Sequence, residues 1–162
     1  MKIFFAADHG GFLMKQTLME YVGRELGHDV EDCGAHTYDA ADDYPDFMLP
    51  CAKKVAGTPG SFGIIGGGSG NGEAMAANRI PGARAAVFHG RTGAVSAIDI
   101  TGAAGASDGY DIVRLSRKHN DANMLSLGFR FLSEEDCKEA VRIFLETSFE
   151  GGRHQNRVDK LG

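Results

Sequence analysis

Residues 62–78 read FGIIGGGSGNGEAMAAN. An apolar run at 62–65, a glycine run at 66–72 and an alanine-rich stretch at 73–78 spell strand, tight loop, helix. Glycines in such a loop let backbone N–H groups approach an oxyanion, and the partial positive charge at the start of the helix reinforces the attraction. The same order recurs on both sides of this stretch. Upstream, KIFFAA at Lys2–Ala7 reads as a buried strand stopped by Asp8-His9-Gly10-Gly11. Residues 12–26 then carry Phe12, Met19, Val22 and Leu26 at helical spacing, and Gly27 closes them. A short strand is expected at Asp29–Asp32. A helix is expected over 46–55, with Phe47, Leu49, Cys51, Ala52 and Val55 facing inward. Downstream, 83–88 reads as a strand, 111–119 as a helix, 124–127 as a strand and 134–147 as a long amphipathic helix. Strand followed by helix, five times over, predicts an α/β fold: a parallel sheet covered by helices on both faces. Ligands of such sheets bind outside the carboxyl ends of the strands, so polar residues after Ala7, Ile65 and Leu127 mark the expected binding edge.

Composition narrows the possibilities. The chain has 162 residues, 23 of them glycine and 4 proline, with 43% apolar residues. At roughly 100–200 residues per domain, one domain with a substantial core is expected, and neither disorder nor a collagen-like chain fits. A net charge of −5 argues against a general nucleic-acid binder, though a small anion pocket remains open. Cys33, Cys51 and Cys137 are odd in number and form no C-x-x-C pair, which suits a reduced compartment better than a disulfide scaffold. No run approaches the roughly 18 apolar residues of a membrane span, and the first apolar run is too short for a signal core. The expectation is a soluble, cytoplasmic chain. One stretch breaks the pattern. Residues 90–109, GRTGAVSAIDITGAAGASDG, are far longer than the usual connection of roughly 2–6 residues and read as an inserted lid, hairpin or loop.

The glycine run fails both nucleotide fingerprints: no Gly-Lys-Ser/Thr follows it, and G-x-G-x-x-G meets Asn71 or Glu73 where its last glycine should be. Glu73 is a poor phosphate ligand. It suits removal of a proton from a carbon next to a carbonyl, with Ser69, one turn away if both are helical, and the loop amides holding the developing oxyanion. Its alternative reading is a first-turn acid completing a cap at Gly70. Asp8-His9 reads as a substrate-contacting pair or as a turn with a helix cap. His119-Asn120 reads as a helix-terminal dipole partner or as a titrating group that opens a cyclic sugar. Arg153 and Arg157 read as a two-pronged phosphate clamp on a helix or as a solvated tail. The six histidines show no metal-ligand spacing, so no metal is expected.

Taken together, AADHGG, DCGA with DDYPDF, GIIGGGSGNGEAMAAN, SRKHNDANMLSLG and GGRHQNRV resemble the type B ribose-5-phosphate isomerases, in the family that includes galactose-6-phosphate isomerase. The resemblance covers most of the chain outside 90–109. It implies a Rossmann-like three-layer sandwich with a five-stranded parallel sheet. It also implies a homodimer or tetramer with shared active sites and cofactor-free interconversion of an aldose phosphate and a ketose phosphate. Many members carry a cysteine base at the position of Gly67; this chain resembles the other branch, whose base stands at Glu73. The further implied roles are enediolate stabilisation by Ser69, Gly70, Asn71 and Gly72, ring opening by His119 with Asp8 on the ring hydroxyls, and sugar contacts from Asn120. Tyr44 would line the pocket, and His9, Arg130, Arg153 and Arg157 would bind the phosphate. Ribose 5-phosphate is the expected substrate; four- and six-carbon sugar phosphates (tetrulose, allose or galactose phosphate) are alternatives, with 90–109 a candidate for setting that choice. A non-catalytic sugar-phosphate-binding module and a flavodoxin-like flavin protein are the competing readings.

Overall fold

A computed structural model describes residues 1–96 and 107–161. The middle of the 90–109 stretch, and with it the expected lid or hairpin, lies outside the described residues. Five strands, β1 (Lys2–Ala7), β2 (Asp29–Asp32), β3 (Phe62–Gly67), β4 (Ala85–Phe88) and β5 (Met124–Gly128), form one sheet in the order β2-β1-β3-β5-β4. Every adjacent pair is parallel. The helices are α1 (Phe12–Glu20), α2 (Pro45–Gly57), α3 (Asn71–Ala77), α4 (Asp111–Asn120), α5 (Glu134–Glu146) and the short α6 (Gln155–Val158).

The two-residue period of a strand sends neighbours to opposite faces. Ile3, Phe5, Ile64, Leu125 and Leu127 pack with Leu18, Val22, Val113, Val141 and Phe144 on the face covered by α1, α4 and α5. Phe4, Ala6, Ile65 and Met124 pack with Met48, Cys51, Ala52, Val55 and Ala77 on the face covered by α2 and α3. The chain leaves β1 toward β2 on one side and returns to β3 on the other. This reversal opens a crevice at the carboxyl ends of β1 and β3, where Ala7 pairs with Gly66.

The differences from expectation have local causes. Gly66 and Gly67 belong to β3 because β1 and β5 claim them as ladder partners. Residues 83 and 84 stay outside β4. The Ala83 amide closes a turn onto Ile80, and the Arg84 amide is held by the Asn123 side chain at 2.7 Å. Met48, not Leu49, is fully buried on α2. The expected helix over 12–26 continues past α1 as a wider π turn over Tyr21–Glu25, closed by a bond from the Leu26 amide to Tyr21 O at 3.1 Å. Its buried face is Lys15, Leu18 and Val22 rather than the apolar positions alone. Lys15 is 2% exposed, donates to Asp32 Oδ1 and reaches Ala35 O at 2.7 Å. It thereby ties α1 to the turn that leaves β2.

Replacing Lys15 by methionine keeps the packing but strands Asp32 and the Ala35 carbonyl. The expected loss is about 2–4 kcal/mol of unfolding free energy, read from the midpoint of urea denaturation; an unchanged midpoint would show that the ammonium holds nothing in place.

Candidate active site

At the crevice between β1 and β3 lies a cavity of about 380 Å³ lined by Asp8, Tyr44, Gly68, Ser69, Gly72, Glu73, Arg130 and Phe131. Each wall follows from a local rule. β1 ends at Ala7, and Asp8 turns back so that its Oδ1 accepts from the Gly10 amide at 2.9 Å. β3 ends at Gly67, and Gly70, at φ +79°, makes the left-handed step that starts α3 two residues earlier than expected. Ser69 therefore stands before the helix and does not share a helical face with Glu73. Its hydroxyl accepts from the Asn71 amide at 3.3 Å, and both side chains still line the cavity. β5 is prolonged beyond Gly128 by bonds from the Phe129 amide to Gly67 O at 2.9 Å and from the Arg130 amide to Gly68 O at 3.1 Å. These lay the Arg130 guanidinium over Gly68.

Glu73 sits in the first turn of α3 and is 4% exposed. Its carboxylate occupies the space that a side chain at 67 would need: a Cβ built on Gly67 would collide with Glu73 Oε1. Burial pushes the Glu73 carboxyl above its ordinary range, the backbone N–H groups of Glu73 and Gly70 pull it back, and the charge of Asp8 adds to the rise. A buried carboxyl of raised proton affinity in the first turn of a helix, facing a cavity, can take and return a proton.

The structure sorts the sequence-predicted residues into two groups. Asp8, His9, Tyr44, Ser69, Gly70, Asn71, Gly72, Glu73 and Arg130 gather around the carboxyl ends of the strands. His119, Asn120, Arg153 and Arg157 do not join them. α4 runs back along the sheet and ends before Met124, so His119 lies beyond the opposite edge, a strand length of about 13 Å or more away. There His119 stacks on the buried His154, with ring centroids 4.1 Å apart and planes at 8°. Arg157 Nη1 lies 3.2 Å from His154 Nδ1, and Glu150 Oε2 lies 3.7 Å from His119 Nε2. Burial, then the charges of His119, Arg153 and Arg157, holds the His154 imidazole below its usual range. Arg157 stands on α6, whereas Arg153 lies in the 3-10 turn before it, and both are exposed. Asn120 faces a separate cleft with Asn78, Arg84 and Ser116.

Sequence spacing scattered the histidines, but folding gathers His119, His154 and Glu150 with ligand atoms within 4.8 Å of one another, and likewise Asp8, His9 and Asp42. The parallel rings of the first cluster aim their in-plane lone pairs side by side rather than at one point. Asp42, His154, Glu150 and Phe131 were not singled out from sequence as site residues. For Asp42 the available signal was the acidic pair directly preceding Tyr44. A larger cavity of about 710 Å³ lies against α5, between Tyr21, Arg91, Tyr110 and Asp136. Its polar groups already bond one another, Tyr110 to Asp136 at 2.9 Å and Arg91 to Asp136 at 3.1 Å.

Comparison with known proteins agrees with this architecture. The family model described as Ribose/Galactose Isomerase matches residues 3–161. The chain is 38% identical to ribose-5-phosphate isomerase B of Mycobacterium tuberculosis over 162 residues, covering 99% of this chain and 88% of that protein. The solved ribose-5-phosphate isomerase B of Mycoplasma genitalium with bound ribulose-5-phosphate superposes with a TM-score of 0.83 at 35% identity, covering 99% of this chain and 93% of the other. The type B enzyme of Trypanosoma cruzi gives 0.82 at 33% identity, covering 99% and 95%. No helix among the described residues is long and apolar enough to cross a membrane.

A carboxyl with raised proton affinity favours the folded state while protonated and loses that advantage as pH rises through its folded value. Glu73→Gln is therefore expected to be at least as stable as the parent chain at pH 7, with the gap closing toward pH 4, in chemical denaturation at both pH values. A less stable variant at pH 7 would mean that the pocket favours the charged form.

Proposed function

For this chain, which belongs to the ribose/galactose isomerase family, we propose cofactor-free interconversion of ribose 5-phosphate and ribulose 5-phosphate through an enediolate, with Glu73 as the base. The observation that carries the proposal is the buried Glu73 carboxyl, lodged where Gly67 leaves room and facing a cavity that also holds Ser69 and Arg130. Glu73 removes the proton from C2 of the open-chain aldose. The C2–H electrons form the C1–C2 double bond, and the carbonyl pair moves onto O1. Ser69 and the amides of Gly70, Asn71 and Gly72 hold the oxyanion. Protonated Glu73 then delivers its proton to C1 while the O2 hydroxyl proton passes to O1, leaving the ketone at C2 and the carboxylate restored.

The cyclic sugar must open before this step, and His119, the group assigned to that opening, lies at the opposite edge of the sheet from the cavity. In this reading two copies of the chain complete each site, as a homodimer or a pair of dimers. One copy supplies Glu73, Ser69, Asp8, His9, Tyr44 and Arg130. The other brings His119 to the ring oxygen, Asn120 to the sugar hydroxyls, and Arg153 and Arg157 to the phosphate. The exposure of both arginines on an acidic chain is what a phosphate clamp awaiting its partner surface needs.

Ketose formation from a panel of aldose phosphates tests the chemistry. Ribose 5-phosphate should lead the panel, with activity rising through a midpoint above the ordinary carboxylate range, and Glu73→Gln should lower kcat by about 10²–10⁴-fold. Retained turnover in that variant would remove Glu73 from the reaction. A mixing experiment tests the sharing. Glu73→Gln and His119→Ala, each inactive alone, should recover about a quarter of the parental activity after subunit exchange, because each mixed dimer contains one intact site. No recovery, with exchange verified by native mass spectrometry, would place both residues in one chain's site.

A further inference from the structure

The mechanism above does not use Asp42, yet Asp42 is one of the most constrained side chains near the cavity. Its side chain is 8% exposed. Oδ1 accepts twice from the same residue, from the His9 backbone amide at 3.1 Å and from His9 Nδ1 at 2.7 Å. Oδ2 is buried and has no hydrogen-bond partner among the described residues. A carboxylate only accepts, so the short contact fixes the proton on Nδ1. Nε2 is left facing away from Asp42, and it has no hydrogen-bond partner among the described residues.

This arrangement is wasteful as a structural hydrogen bond. An asparagine could accept both bonds on its own Oδ1 and would not bury a charge with an idle oxygen. What aspartate adds is the charge. Asp42 lies in the segment between β2 and α2, two residues before Tyr44, whereas His9 follows β1 and lines an adjoining cavity of about 470 Å³ with Phe12, Tyr38 and Phe129, so the contact ties the Tyr44 segment to the end of β1. We propose that Asp42 is a positioning residue that locks the His9 ring by its Nδ1 side and keeps it in the doubly protonated form, so that Nε2–H is presented as a cationic donor to the substrate phosphate. The proposal rests on the isomerase reading for the identity of the anion.

The charges that act on the ring are few. Asp42 raises its proton affinity most, through the hydrogen bond; Asp8 adds to the rise, while partial burial and Arg130 oppose it. A doubly protonated ring beside Arg130 would otherwise be an unfavourable pair of cations, and Asp42 offsets that repulsion on the side away from the ligand. Phosphate binding would then persist at pH values where an ordinary imidazole, near 6.5, has lost its charge.

The test is Asp42→Asn in the full chain, which keeps an acceptor for both bonds and removes the charge. The His9 ring protons are followed by NMR against pH, assigned with His9→Gln, and sulfate, whose charge is constant over the range, serves as the anion probe. In the variant the His9 midpoint should fall, and above it the sulfate Kd should rise several-fold relative to the parent. The KM for ribose 5-phosphate should rise with the same pH dependence, and kcat should change less than KM. Coincident His9 midpoints, or sulfate curves that stay parallel at every pH, would overturn the proposal. If the variant does not fold, the parent decides alone: a His9 midpoint at or below the ordinary value overturns the proposal, and one above it supports it. Absence of turnover on any sugar phosphate would refute the isomerase reading, while the ring and sulfate titrations would still decide the role of Asp42.

Discussion

The polar edge of the molecule depends on the parallel pairing of β1 with β3. The ladder runs from Ile3 with Phe62 to Ala7 with Gly66, and both strands are apolar along nearly their whole length because helices cover the sheet on both faces. A parallel pair cannot be closed by a tight turn, so each strand must hand its chain to a connection that travels the length of the sheet. Since the two connections depart in opposite directions, Asp8 and the loop after Gly67 meet at the floor of the crevice, where a Cβ on Gly67 would come within 3.0 Å of Asp8 Oδ1. Asp8 and Glu73 are polar there because the sheet offers them nothing apolar to join. The burial that raises the proton affinity of Glu73 is a consequence of the same packing, with α3 pressed down on β3 and the loops closed over its first turn.

Much of this was legible in the sequence, and what was missed has a common origin. The inner strands were readable because a buried strand is a mostly apolar run bounded by glycine and charged residues, whereas the edge strand β2, Asp29–Asp32, carries one apolar residue, Val30, and rested on its place in the alternation. Glu73 was readable as a cavity-lining carboxylate from its place beside the glycine run, and it also stands in the first turn of α3 with the amides of Gly70 and Glu73 on its carboxylate, as its alternative capping reading expected. Lys15 was not, since a search for an apolar helix face discards charged positions, yet a lysine can be buried when an acid and a carbonyl await its ammonium. Asp42 was obscured in the same way: among acidic neighbours on a loop, nothing in the local pattern distinguishes the one that folds inward. The start of α3 was placed late because Gly70 was counted as loop, although a residue with positive φ is what allows the helix to begin beside it. For Lys15 and Asp42 the missing information was a partner distant in sequence; for α3 it was the backbone angle of a single glycine.

The separation of the functional residues into two groups was also beyond reach of motif reading. Motifs give order along the chain, and the chain alternates between the two edges of the sheet with every strand and every returning helix. His119 stands in the last turn of α4 and Glu73 in the first turn of α3, so they are carried to opposite edges by the very regularity that made the fold predictable. A reader of motifs sees one set of groups; in a single copy of the chain the geometry holds them at opposite edges of the sheet.

The competition for space between residue 67 and the Glu73 carboxylate bears on how such a site can change over generations. The resemblance implies a cysteine base at the position of Gly67 in many members, and here that volume is already filled by Glu73 Oε1. A chain moving from one base to the other must pass through a sequence with both groups, which crowd each other, or with neither, which has no base. With Glu73 as the proposed base, a thiol at 67 displaces its carboxylate and loss of Glu73 alone removes the base, so the two changes restore a working arrangement only together. Under the proposed role of Glu73 the two positions are linked by sign epistasis, and two kinds of base would stand on separate adaptive peaks with one fold beneath both.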